Sequence, residues 1–297
     1  MSKSNEAWSL FDQIVDVERS DPWKSVDGRR TFVPDLACLE QLLGVPLRLG
    51  MSTQSGIPAK AVDVWLAFEL RRAGFGADEV WPRATRPRVL PREVGLLIDS
   101  LPRAMKEQLW ARVEAGKVGP AVSADANVLG KAYNKQVDVV IAQWARGPEL
   151  LISSKRMDSS IANNAFNRIE ESYGDAHNLR GRHPLAAIGY VLVLRSTAFT
   201  EAPAAVERLI DLVGKLASDD GGYDATCVVV AQWENPGEQL RPEVRVVEDL
   251  IPENLRIGPF IETMIRLVLA RTPVDAHVRP RELLTGVGLA VREDESR

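Results

Sequence analysis

The sequence predicts a mixed α/β fold, a central mixed sheet flanked by helices, with a helical N-terminal segment. Three observations predict it. Stretches with apolar residues at helical spacing occupy the chain up to about residue 117. From about residue 135, short Val- and Ile-rich runs bounded by Gly and Pro take over. These runs then alternate with further helical stretches, a pattern that lays helices over a buried sheet.

Each element follows from local chemistry. "NEAWSLFDQIVDVE" brings Trp8, Phe11, Ile14 and Val15 to one helical face, and "DLACLEQLLG" starts at Asp35 and stops at Gly44, so residues 1–50 read as a helical segment. "SGIPAKAVDVWLAFELRRAGF" is the strongest helix: Ser55 serves as cap, Pro58 suits the first turn and Gly74 ends it. "PREVGLLIDSLPRAMKEQLWARVEAGK" continues as helix, interrupted near Pro102. "QVDVVIAQW" and "ELLISSKRM", joined across Arg146–Pro148, read as an antiparallel hairpin. "SSIANNAFNRIEESYGDAHNLRG" is a helix with Phe166, Ile169 and Tyr173 as its apolar stripe. "AAIGYVLVLRS" and "ATCVVVAQW" are buried strands around the helix "AVERLIDLVGKLAS", and "GPFIETMIRLVLAR" is a late helix.

Composition narrows the function classes. Hydrophobic residues make up 45% of the 297 and charged residues 26%, ordinary for a globular protein. No apolar run approaches the ~18–20 residues of a membrane helix, and the N-terminus lacks a signal-peptide apolar core. Cys38 and Cys227 sit among apolar neighbours and read as reduced thiols, so a cytoplasmic protein is expected. Three histidines and two cysteines at scattered spacing argue against zinc. The net charge of −4 permits nucleic-acid binding only through local basic surfaces, and two are present: Arg83, Arg86, Arg88 and Arg92 in "WPRATRPRVLPR", and His177, Arg180, Arg182 and His183 in "HNLRGRHP". No glycine-rich phosphate loop and no Gly-x-Ser-x-Gly turn occur, which counts against a metabolic α/β enzyme of the common types.

The segment "NKQVDVVIAQWARGPELLISSKRM" carries a carboxylate and an ammonium inside two apolar strands. With a period of two, Asp138 shares a face with Val140 and Ala142 and lies opposite Val137 and Val139. Ser153 and Lys155 share one face, with Ser154 on the other, and a bent hairpin would bring Asp138, Ser153 and Lys155 to one sheet edge. Buried charges persist only when paired or metal-bound, and by itself such a pair is a structural ion pair. Three further features point to chemistry. Asp63 lies among apolar neighbours on the strongest helix, with Glu69 as competing carboxylate. Asn163, Asn167 and Glu170 share one face of the helix that follows the hairpin. "GDAHNLRGRHP" then places basic residues beside the same region.

At these residues the chain resembles the PD-(D/E)xK nuclease superfamily, to which many restriction endonucleases belong. Asp138, a turn, and an apolar strand ending at Lys155 match its motif, and the Asp63 helix resembles its first core helix. The resemblance spans roughly residues 55–195 and implies a restriction endonuclease-like core inside a nuclease domain of residues 51–297, with C-terminal strands and helix over 196–297. Val137 replaces the family's proline and Ser153 its second acid. This Ser-x-Lys form is similar to one branch of restriction enzymes that draws the missing carboxylate from the next helix, where Glu170 is the nearest match and Glu171 the next.

The resemblance implies a Mg²⁺-dependent endonuclease of the type II restriction kind, cutting double-stranded DNA. Asp138 would be the central metal ligand, Glu170 the second carboxylate and the Ser154 carbonyl a backbone ligand. Lys155 would polarise the attacking water, with Ser153 beside it and Asp63 in support. Arg156, Arg180, Arg182 and His183 are the candidate phosphate contacts, joined by Asn163 and Asn167 as DNA contacts. The Arg83–Arg92 segment and "QWENPGEQLRPEVR" are candidates for base reading. Cutting both strands of a symmetric site implies a homodimer. The competing expectations are a catalytically weakened DNA-binding protein of the same fold and a nuclease for modified or branched DNA.

Overall fold

The structure, a computed structural model, describes residues 2–17, 20–118, 125–159, 161–218, 222–234 and 243–287, with the side chains at 54 and 162–164 also outside the description. Helix α1 (Lys3–Val15) is capped by Ser2, whose hydroxyl accepts from the Asn5 amide. Strands β1 (Trp23–Val26) and β2 (Arg29–Phe32) form a hairpin across Asp27 and Gly28, both at positive φ as a two-residue turn demands. The N-terminal fifty residues are therefore not all helical: Asp27-Gly28 is a turn signal that outweighs the flanking charged residues. Helix α2 (Leu36–Arg48) begins at Asp35 as expected, where the carboxylate accepts from the Cys38 amide, but runs through Gly44 and past Pro46. A helical Gly costs only about 1 kcal/mol, and the buried Leu42, Leu43 and Val45 offset it.

Helix α3 (Ile57–Arg72) starts from Gly56 at φ 73° rather than from Ser55, whose hydroxyl donates to Ser52 O in the preceding turn. It is buried almost all round, and Gly74 at φ 100° closes it by letting the Phe75 amide reach Leu70 O. Next come β3 (Val80–Trp81), α4 (Arg92–Asp99) and α5 (Arg103–Glu114), the last two divided at Pro102 as expected. Then follow β4 (Ala126–Leu129), β5 (Asn134–Val137), β6 (Val139–Gln143), β7 (Gly147–Met157) and α6 (Ile161–Arg180). The chain continues through β8 (Ala187–Arg195), α7 (Ala198–Glu201), α8 (Pro203–Leu216), β9 (Ala225–Trp233), β10 (Val244–Val246), α9 (Ile257–Arg271) and α10 (Val278–Thr285).

The central sheet has the order β10-β9-β8-β7-β6-β3. Strands β7, β8 and β9 are parallel, while β3, β6 and β10 pair antiparallel with their neighbours, so the sheet is mixed. Alternation along β6 and β7 sends Val139, Ile141, Leu150 and Ile152 into one apolar core and Val140 and Leu151 into the other. The first core is covered by α1, α2, α3 and α9 and takes in Phe11, Trp23, Phe32 and Leu39, so the N-terminal segment shares its interior with the sheet. The second core lies under α6 and α8. Among the described residues no helix is long and apolar enough to cross a membrane.

Candidate active site

The strand expected over 136–144 is broken at Asp138. Upstream, β5 pairs with β4, Val137 facing Ala126; downstream, β6 pairs with β7, Val139 facing Ile152. Val137 and Val140 both enter the second core while Val139 enters the first, so the alternation slips at Asp138 and the expectation that Val137 and Val139 share a face does not hold. The reason is the backbone: the Asp138 amide donates to Ile152 O at 3.2 Å, while its Oδ2 accepts from the Ser154 amide at 2.9 Å. The carboxylate thus replaces a main-chain acceptor where two strand pairs diverge.

Ser154 follows Ile152 on the α3 side of β7. Its hydroxyl makes a short hydrogen bond to Asp63 Oδ1, and Asp63 is fully buried. Ser154 supplies two donors, amide and hydroxyl, that tie Asp138 to Asp63. One helical turn before Asp63, Lys60 brings its Nζ to 3.1 Å from Asp63 Oδ2, 3.7 Å from Asp138 Oδ1 and 4.0 Å from Asp125 Oδ1. Burial raises the Asp138 carboxyl most, the Asp63 charge adds to it, and Lys60, the Ser154 amide and Lys155 oppose, leaving it at about 6. Burial works to lower the Lys60 ammonium, but Asp63, Asp138 and Asp125 prevail and raise it.

Lys155 and Ser153 share the α6 side of the sheet, as expected, and both lie at or beneath the surface. Lys155 Nζ is 3.8 Å from Glu171 Oε1, which also lies 3.8 Å from Lys135 Nζ, while Glu171 Oε2 accepts from Arg168 at 2.8 Å. Burial pushes Glu171 up, but Arg168, Lys155 and Lys135 hold it below its usual range. Lys135 in turn pairs with Asp175, which accepts from the Tyr133 hydroxyl. Lys155 therefore faces the α6 side and pairs with Glu171, while Ser154 and Asp63 meet on the other side of the sheet; the expected convergence of Asp138, Ser153 and Lys155 at one edge is not among the contacts of the described residues.

Helix α6 is turned relative to expectation. Ile161, Ala165, Ser172, Ala176 and Leu179 face inward, while Phe166 and Tyr173 are 41% and 43% exposed. Small side chains permit close packing on the sheet and displace the bulky stripe outward. Asn167, Glu170 and Glu171 are all exposed; of the two acids, Glu171 is the one that meets the strand, with Oε1 3.8 Å from Lys155 Nζ. The Asn163 side chain lies outside the described residues. Glu69, the rival to Asp63, is also buried but is committed to Arg72 at 2.7 Å and the Asp35 amide at 3.0 Å.

Most of the expected phosphate contacts are structural. Arg156 is buried, donating to both Asp158 oxygens and to Pro58 O while stacking on Trp233. Arg180 donates to Asp224 and to the Ala186 carbonyl, and His183 lies 2.9 Å from Leu129 O; Arg182 is exposed. In the basic segment, Arg83 grips Asp78 and Arg88 reaches Asp12 and the Trp8 ring. Residues 235–242 of the second base-reading candidate lie outside the described residues.

Sequence reasoning missed Lys60 and Asp125. Lys60 was findable as the i−3 neighbour of Asp63; Asp125, distant in sequence from both Asp63 and the hairpin motif, carried no signal. Lys60, Asp125 and Asp138 line a cleft of about 230 Å³ together with Trp8, Trp81 and Arg88, while Asp63 lies buried behind it. Among the described residues no group of three or more His, Cys, Asp or Glu side chains is spaced to hold a metal by itself. The protein-derived oxygens converging on one cation are instead those of Asp63 and Asp138, with Asp125 at the rim. No family model, no curated protein and no solved structure matches the chain.

Proposed function

We propose that the protein is a Mg²⁺-dependent endodeoxyribonuclease that cuts double-stranded DNA, in the manner of a type II restriction enzyme. The observation that carries this reading is Asp138 at a strand break, its Oδ2 held by the Ser154 amide and Asp63 one hydroxyl away, with Lys155 one residue further along the same strand. The residues fit Mg²⁺: Asp63 Oδ2 is buried and Asp138 Oδ1 faces the same point, where the Lys60 ammonium already stands 3.1 and 3.7 Å from them, and both are hard oxygens that converge on one cation. Mg²⁺ is commonly held by one or two carboxylates, with water and substrate phosphate supplying the rest. Asp63 thus takes the second-carboxylate role expected of Glu170.

When bound, the metal supplies Lewis-acid polarisation of a phosphoryl oxygen and a more acidic water. The chain's own residues do the rest. Asp138 and Asp63 hold the cation, kept in register by the two donors of Ser154. Lys155 offsets the charge that gathers on phosphate in the transition state, and Glu171 fixes where the Lys155 ammonium stands. Exposed Arg182 offers a phosphate contact beyond the site. Cutting both strands of a symmetric sequence is done by a two-fold dimer.

A second reading, a DNA-binding protein of the same fold that no longer cuts, is favoured by Lys60, whose ammonium stands between the two carboxylates. Digestion of unmethylated plasmid with Mg²⁺ separates the two. Discrete fragments support a sequence-specific enzyme, and cleavage confined to modified or branched duplexes moves the substrate class. DNA binding without any cutting supports the second reading.

A further inference from the structure

We propose that Lys60 is a latch: its ammonium occupies the cation position between Asp63 and Asp138 and must swing into the cleft before a divalent ion can bind. The inference rests on the metal-dependent reading above and adds a resting state to it.

The geometry argues for a displaceable occupant. Asp63 is fully buried, and its Oδ2 has the Lys60 ammonium at 3.1 Å as its partner. A buried carboxylate beside a second one is costly without a positive charge. Lys155 does not fill that need, because it stands across the sheet against Glu171. Lys60 therefore neutralises the pair while the metal is away. Its side chain is 26% exposed whereas that of Asp63 is 1% exposed, and it lines the cleft. Rotation about its flexible stem carries the ammonium toward the rim, where Asp125 Oδ1 already lies at 4.0 Å. A divalent ion brings twice the charge to both carboxylates and so can expel the ammonium, but its apparent affinity is reduced by the fraction of molecules in which Lys60 is already out.

The test is Ca²⁺ binding to the full chain by isothermal titration calorimetry, which needs no DNA and no turnover. Lys60→Met should bind Ca²⁺ at least about tenfold more tightly than the wild type, and Lys60→Arg, which keeps the charge, should not. Asp138→Asn should abolish binding in either background. A Lys60→Met protein that binds no more tightly than wild type overturns the latch, as does absence of Ca²⁺ binding to every variant. Should Lys60→Met not fold, the wild type decides: reductive methylation followed by peptide mass spectrometry should label Lys60 several-fold faster in saturating Ca²⁺, with exposed Lys24 as reference, and an unchanged rate overturns the latch. A chain that cuts DNA but shows neither effect keeps the nuclease reading and loses the latch. Tightened Ca²⁺ binding in a chain that never cuts DNA does the reverse.

Discussion

Ser154 does at the residue scale what the sequence motif assigned to several groups. Its amide and hydroxyl bridge two carboxylates that belong to different elements. Ser154→Ala keeps the amide but strips Asp63 Oδ1 of its donor. Leaving a buried acceptor unmet costs about 1–3 kcal/mol, so urea denaturation should show a midpoint drop of that size with an unchanged slope. A midpoint equal to wild type would mean that the Ser154–Asp63 bond contributes nothing. Most of this cluster was legible in the sequence: Asp63, Asp138, Ser153, Ser154 and Lys155 stood out as polar groups in apolar surroundings. The spacing past Lys155 points to Glu170 but does not reveal how the helix is turned: it packs through Ala165 and Ala176 and leaves Phe166 and Tyr173 partly exposed.

At the scale of elements, two contacts carry predictions. Gly189 on β8 lies so close to α9 that an added Cβ would stand 2.8 Å from the Phe260 ring. Gly189→Ala should therefore cost about 1–3 kcal/mol by overpacking, read as a lowered denaturation midpoint, and a neutral substitution would show that α9 can move away. The second contact docks α10. His277, at φ 54° just before it, is buried between Glu149 at 2.9 Å and Glu79 at 3.5 Å, and Gln143 and Arg146 bond the same two acids.

Burial works against the His277 proton most strongly, but Glu149 and Glu79 overcome it and raise the imidazolium above 6.5. Burial likewise opposes the Glu79 charge, yet His277, the Gly76 amide and Gln143 hold it at about 2. A raised His contributes in full below its unfolded value of 6.5 and loses that contribution as pH rises through its folded value; a depressed Glu contributes above 4.5 and fades toward about 2. The stability gap between wild type and His277→Asn, which tolerates the left-handed backbone, should thus be widest between pH 4.5 and 6.5 and shrink on the alkaline side. A gap that is flat from pH 5 to 9 would remove the charge from the explanation.

At the scale of the molecule, the sheet and its two covering layers enclose two apolar cores, one on each face. The class of fold was legible because apolar period and length agree in β8, β9, α8 and α9. The edges were not: β3 has two residues and β10 three, too short to show alternation, and the basic clusters looked like surface because sequence does not reveal that Asp78, Asp12 and Asp224 wait for their arginines. Because Phe11, Trp23, Phe32, Leu39 and Leu42 lie in the first core, a chain starting at residue 51 should fail to fold, seen as lost cooperativity on heating and binding of an apolar dye. A cooperative transition in that fragment would show the N-terminal segment to be an accessory.

The most direct test of the central claim is the single-turnover rate of plasmid cleavage in Mg²⁺ for the wild type, Asp138→Ala and Lys155→Ala. The expected result is cutting by the wild type and a loss of at least about a hundredfold in each variant, with all three proteins equally folded. Cleavage that survives both substitutions, or a wild type that never cuts any duplex, would contradict the assignment of chemistry to this strand break.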